Sequence, residues 1–156
     1  MSETVIRYMT SSDVTEVAQI EALSFDTPWP ESGFQKCLAN PKLTSWVAQC
    51  EDVIASFCVF QQHRRKLEIV SIATHPDSYR QGFGSALVKK MTDKLKVKTR
   101  TRVSMDVDEK NLKGQLFLKS CGFLAVGINP STEEEGTIVY RMVYRVPAEQ
   151  GGEDDA

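Results

Sequence analysis

A mixed β-sheet with helices packed on it, an α/β fold of the α+β mixed-sheet kind, is predicted for this 156-residue chain by three observations. Segments of helical periodicity interrupt β-forming segments along the whole chain. One β-forming segment, Leu67 to Thr74, is apolar almost without interruption, as a strand covered on both faces requires. Hydrophobic residues make up 41% of the sequence, enough to bury the faces of such a sheet.

The elements follow in order. Thr4 to Tyr8 reads as the first strand, with Val5 and Ile6 as β-formers. Thr10-Ser11-Ser12-Asp13 offers helix N-caps. Val14, Val17, Ala18, Glu21 and Ala22 then recur at helical spacing, with Ile20 and Leu23 widening the stripe, and this helix stops near Ser24-Phe25. Thr27-Pro28-Trp29-Pro30 is extended, because each proline restricts the residue before it. A short helix, Glu31 to Ala39, ends before Asn40-Pro41. Leu43 to Cys50, a turn at Glu51-Asp52, and Val53 to Gln61 read as a hairpin. His63-Arg64-Arg65-Lys66 leads into the central strand, Leu67 to Thr74. A loop from His75 to Gln81 precedes a helix from Gly82 to Leu95, striped by Ala86, Leu87, Met91 and Leu95. Arg102 to Val107 is a strand, and Asn111 to Ser120 is a helix closed by Gly122. Leu124 to Ile128 and Thr137 to Val146 are the last two strands.

Residues 1–146 read as one domain, and residues 147–156 as an acidic, disordered tail. Without the tail's four acids, Glu149, Glu153, Asp154 and Asp155, the net charge of −2 becomes +2. The folded part is thus nearly neutral, which argues against an electrostatic grip on nucleic acid. No apolar run approaches the roughly 20 residues of a membrane span, so no membrane partner is expected. Cys37, Cys50, Cys58 and Cys121 form no C-x-x-C pair, and His63 and His75 are the only histidines, so no metal site is expected. Cys50 and Cys58 sit among apolar residues and read as buried thiols. Met1-Ser2-Glu3-Thr4 lacks the pattern of a secretory leader, which predicts a reducing, cytoplasmic setting.

The most informative stretch runs from Ile69 to Leu87: a buried strand, the turn His75-Pro76-Asp77, then Tyr79-Arg80-Gln81-Gly82-Phe83-Gly84-Ser85 opening a helix. Glycines at a helix start let the backbone approach a ligand closely. The first-turn N–H groups, backed by the helix dipole, then form a cradle for a diphosphate. Neither a Rossmann fingerprint nor a Walker A loop is present. The stretch resembles the acetyl-CoA loop of the GNAT superfamily of N-acetyltransferases, with Gly82 and Gly84 at its two small positions. Tyr79 stands at that motif's Gln/Arg position, and Arg80 comes one residue late. Downstream, Asn111, Gly114 and Ser120-Cys121-Gly122-Phe123 look like the family's Asn-x-x-Ala … Tyr-x-x-x-Gly-Phe helix, with Leu118 at the tyrosine position. Ile20-Glu21, Phe25, Pro28-Trp29 and Phe34 look like the ribosomal-protein-alanine N-acetyltransferase (RimI-type) subgroup.

The resemblance implies the GNAT acyl-CoA N-acyltransferase fold, one central mixed sheet flanked by about four helices, with acetyl-CoA as cofactor. It implies cofactor contacts at Tyr79, Arg80, Gln81, Gly82, Phe83, Gly84 and Ser85. It also implies backbone donors at Ile72, Ala73 and Thr74, where two strands splay apart, and Asn111 on the pantetheine arm. The acceptor would be a protein N-terminus, with a small amine (polyamine, amino sugar or amino acid) as the alternative. A catalytically weak acyl-CoA-binding regulatory domain is the reading from another class. Attack on a thioester needs a neutral amine, so a base helps. Asp106 stands where RimI-type enzymes carry a glutamate; Glu68, interrupting the central strand, is the rival, with an ion pair to Arg64 or Arg65 as its structural explanation. Leu118 cannot donate a proton to a leaving thiolate. Trp29, Tyr140 and Glu134 are the expected acceptor contacts.

Overall fold

A computed structural model describes residues 3–130 and 136–147. Eleven regular elements follow the expected order: β1 (Thr4–Tyr8), α1 (Val14–Ser24), α2 (Glu31–Ala39), β2 (Leu43–Cys50), β3 (Val53–Gln62), β4 (Lys66–Thr74), α3 (Phe83–Thr92), β5 (Arg102–Asp108), α4 (Leu112–Ser120), β6 (Leu124–Ile128) and β7 (Val139–Arg145). The strands form a seven-stranded mixed sheet in the order β1-β2-β3-β4-β5-β7-β6. This is the predicted fold class. Glu134 and residues 148–156, on which the loop-acid and tail expectations fall, lie outside the described residues.

One difference from expectation concerns α3. Regular helix stops at Thr92 rather than Leu95. Lys94 N–H bonds the Met91 carbonyl and Leu95 N–H that of Thr92, a tightening to three-residue turns. Leu95 is still buried, so its place in the apolar stripe is kept while the chain turns away.

The described residues fall into two units by contact, those up to 62 with 70–88, and 63–69 with those from 89 onward. In the first, β1 and β2 are antiparallel, as are β2 and β3. Glu51 takes the left-handed turn position (φ 57°) that joins the hairpin. Val14, Val17 and Ile20 on α1 and Phe34 on α2 bury against Val47, Phe57 and Val59. Phe34 meets Phe57 edge-on with ring centroids 5.4 Å apart. Ahead of α1, Asp13 accepts the Thr10 N–H at 2.7 Å and a two-pronged ion pair from Arg7 at 2.7 and 2.9 Å. The Arg7 bonds hold its carboxyl below the usual range, against the opposing effect of burial.

In the second unit, Lys66–Ile69 of β4 pair in parallel with Arg102–Met105 of β5. β7 pairs antiparallel with β5 and with β6. Leu118 and Phe123 are fully buried, and Gly122 (φ 95°) supplies the left-handed residue that ends α4. All four cysteines are thiols. Cys58 is buried as expected, and burial pushes its thiol up to about 12. Cys50 is only half-buried, because it closes the hairpin at the turn opposite Val53.

Candidate functional site

The glycine segment lies wholly in the first unit. β4 delivers Ile72, Ala73 and Thr74, all half-buried, to the start of the loop. Ser56 fixes this end from β3: its hydroxyl donates to the Ala73 carbonyl at 2.8 Å and lies 3.1 Å from Thr74 Oγ1. His75 N–H donates to the Ala55 carbonyl at 2.8 Å. The His75 ring then accepts the Asp77 N–H at 3.1 Å, closing a short 3-10 turn over Pro76–Ser78. His75 thus serves turn geometry.

Two residues beyond Ser78, the backbone becomes left-handed at Arg80 (φ 65°) and again at Gly82 (φ 83°). A Cβ built on Gly82 would meet nothing within 4 Å. The Gly82 carbonyl accepts the Ala86 N–H at 2.9 Å and so starts the ladder of α3. Phe83 and Gly84 are buried under the first turn, while Tyr79, Arg80, Gln81 and Ser85 are exposed around it. The open volume at Gly82 and the outward first-turn amides of a helix suit an anionic diphosphate. The residues present therefore fit the cofactor the sequence pattern implies.

Trp29 is half-buried in the same unit, its ring 5.4 Å from that of Phe34. Its N–H donates to Glu21 Oε2 at 2.9 Å, and Ser71 Oγ donates to Glu21 Oε1 at 2.8 Å. Burial, then the Glu21 charge, push the nearby Cys37 thiol up. Glu21 was not among the residues singled out for a site. The signal was there: Val14, Val17, Ala18 and Glu21 share one helix face, and a carboxylate stands on the stripe that faces the core.

The second unit holds both candidate bases. Asp106 lies on β5 directly opposite Arg141 of β7. Its Oδ1 is 3.3 Å from Arg141 Nε and its Oδ2 accepts Asn129 Nδ2–H at 2.9 Å, with 29% of the side chain exposed. Neither partner was foreseen. Glu68 pairs with His63 at 2.8 Å, not with Arg64 or Arg65. The cause is local: His63 N–H bonds the Lys66 carbonyl and Arg100 Nε holds the His63 carbonyl at 2.7 Å, which turns the imidazole onto the strand.

Asn111 Oδ1 accepts the Gly114 N–H at 2.9 Å, so this side chain caps α4. A Cβ on Gly114 would lie 2.7 Å from Asn111 Nδ2, so glycine is what lets the cap fold back so closely. Tyr140, half-buried, stands opposite both Val107 and Ile128. Leu118 is 1% exposed and aliphatic, so it is core and has no proton to give.

The chain belongs to the acetyltransferase (GNAT) family, whose model matches residues 14–123, and it is an N-acetyltransferase enzyme. A Bacillus subtilis (strain 168) protein provisionally named a ribosomal protein bS18-alanine N-acetyltransferase is 28% identical over 128 residues, 81% of this chain and 85% of that one. The Escherichia coli (strain K12) ribosomal protein bS18-alanine N-acetyltransferase is 25% identical over 118 residues, covering 76% and 79% of the two chains. The crystal structure of the ribosomal-protein-S18-alanine N-acetyltransferase from Escherichia coli superposes with a TM-score of 0.77 at 21% identity, over 92% of this chain and 94% of that one.

Proposed function

We propose that this enzyme transfers the acetyl group of acetyl-CoA to the α-amine at a protein N-terminus. The observation that carries the reading is the turn at Gly82, left-handed, open where a side chain would stand, and continuous with the first turn of α3. The acceptor class is supported by relatives named for alanine N-acetylation of a ribosomal protein, matched over three quarters or more of this chain.

Acetyl-CoA supplies the activated acyl group. Gly82, Gly84 and the amides of Phe83 and Ser85 would hold its diphosphate, with Arg80 adding charge and Tyr79 and Gln81 lining the rim. Backbone N–H groups of Ile72, Ala73 and Thr74 would orient the thioester. Asn111 would meet the pantetheine arm through its amide N–H₂, since its carbonyl oxygen serves the cap.

Asp106 would take the proton from the amine through a water, being one methylene shorter than a glutamate. Glu68 is the rival base; each carboxylate has structural partners, His63 for Glu68 and Arg141 with Asn129 for Asp106, and Asp106 is preferred on its place on β5. Trp29 and Tyr140, with Glu134, would line the acceptor. Leu118 has no proton to give, so the leaving thiolate would take its proton from water or from another group, with Tyr140 and Tyr144 of β7 as candidates.

The test follows free thiol released from acetyl-CoA. The panel holds peptides with a free α-amine, the same peptides blocked at the N-terminus but carrying lysine, and spermidine. Release with free α-amines alone is expected. Release with spermidine or lysine alone would assign the enzyme to another acceptor, and no release from any amine would leave a binding domain.

A further inference from the structure

The segment between α1 and α2 packs its Trp29 ring on the core beside Phe34, but few hydrogen bonds fix its backbone. From Phe25 to Pro30 it has no regular structure, and it contains Pro28 and Pro30. Its Pro30 end is held by α2, where the Pro30 carbonyl accepts the Gly33 N–H at 2.9 Å, and two hydrogen bonds tie the rest back to α1, both ending on one residue. Phe25 N–H donates to the Glu21 carbonyl at 3.1 Å, and Trp29 N–H donates to the Glu21 carboxylate at 2.9 Å. The second carboxylate oxygen takes the Ser71 hydroxyl of β4 at 2.8 Å. Glu21 thus holds Phe25 and Trp29 and joins them to β4 through Ser71.

The arrangement costs stability. Glu21 is 3% exposed, and among the described residues no Lys, Arg or His pairs with it. A buried carboxylate with neutral donors alone is an expensive way to fill a core position. An aliphatic residue there would extend the Val14, Val17 and Ile20 surface without that cost. What the carboxylate adds is two acceptor oxygens on a short spacer, enough to take a loop amide and a strand hydroxyl together.

We propose that Glu21 is a positioning residue, a latch that fixes the Trp29 segment in register with Ile72–Thr74. It rests on the proposed reading of Trp29 as an acceptor contact and of Ile72–Thr74 as thioester contacts. Glu21 itself touches neither substrate. Its work is to keep the acceptor segment from drifting relative to the strand.

The test uses Trp46→Phe protein, in which Trp29 is the only tryptophan. Glu21→Ala, Glu21→Gln and Ser71→Ala are each added to it. Acrylamide quenching of Trp29 reads loop order without any acceptor. Glu21→Ala should raise the quenching constant about twofold. It should raise acceptor KM about tenfold, equivalent to about 1.4 kcal/mol, with kcat and acetyl-CoA affinity within about threefold. Glu21→Gln should restore both, because a glutamine can accept from Trp29 N–H and donate to Ser71 Oγ. Ser71→Ala, which breaks one bond and leaves the helix intact, should fall between and stands in for Glu21→Ala if that variant does not fold. The latch is overturned by unchanged quenching and KM in the variants that break its bonds. It is equally overturned by a glutamine no better than alanine, or by a loss confined to kcat or acetyl-CoA affinity. If the parent protein acetylates no peptide, the acceptor reading fails separately, and the quenching arm alone decides the latch.

Discussion

Gly82→Ala separates backbone strain from ligand exclusion. The residue sits at φ 83°, where an L side chain costs roughly 1–2 kcal/mol. The stiffer unfolded chain returns about 0.5 kcal/mol of that. A new Cβ meets nothing within 4 Å, so no packing cost is added. The net loss is about 1 kcal/mol, or about 3 °C in Tm for a chain of this length. Gly136 is a matched control: its φ is 75° and its Cβ position is also open. Gly136→Ala should lose about the same stability. Acetyl-CoA affinity, measured by titration calorimetry, should fall at least about tenfold in Gly82→Ala and stay unchanged in Gly136→Ala. Equal affinities in the two variants, at equal stability loss, would refute the placement of the diphosphate at Gly82.

Asp106→Ala should lower kcat about a hundredfold or more, with acetyl-CoA affinity little changed, whereas Glu68→Ala should stay within about threefold; steady-state kinetics decides, and the reverse pattern moves the base to Glu68. Asp13→Ala should cost about 1.5 kcal/mol at neutral pH, toward the low end for charged hydrogen bonds because Arg7 is partly exposed. Because Arg7 holds the folded carboxyl below its ordinary 3.8, that stabilisation is complete above about pH 5 and is lost as pH falls through the lowered folded value. Urea melts of both proteins between about pH 6 and pH 2 should therefore converge at the acid end. In the folded protein, iodoacetamide should modify Cys50 well before Cys58, whose thiol is buried and held in its protonated form; mass mapping gives the order.

Much of the fold was legible because its signals are local. The β-forming run of β4, the proline-flanked break at Thr27–Pro30 and the stripe on α1 each declare themselves within a few residues, but β4 is buried on its Leu67, Ile69 and Ser71 face alone, with Val70 exposed, and Ala22 and Leu23 lie outside the buried stripe of α1. The glycine turn was legible for the same reason, since φ 83° at Gly82 is a conformation that glycine adopts freely. Arg80 at φ 65° was not, because nothing in its side chain marks a left-handed residue. The environment of Asp106 was also hidden. It depends on β7 entering the sheet between β5 and β6, which sets Arg141 opposite Asp106 across 35 residues of sequence. Sequence spacing carries no trace of that register. The same holds for Glu21 and Ser71, 50 residues apart and joined by one hydrogen bond.

The most direct measurement is tandem mass spectrometry of a peptide that carries both a free N-terminal alanine and an internal lysine, after incubation with the enzyme and acetyl-CoA. A single acetyl group on the alanine nitrogen, with the lysine unmodified, is the predicted result. Acetyl on the lysine alone, or an unmodified peptide alongside acetylated spermidine, would contradict it.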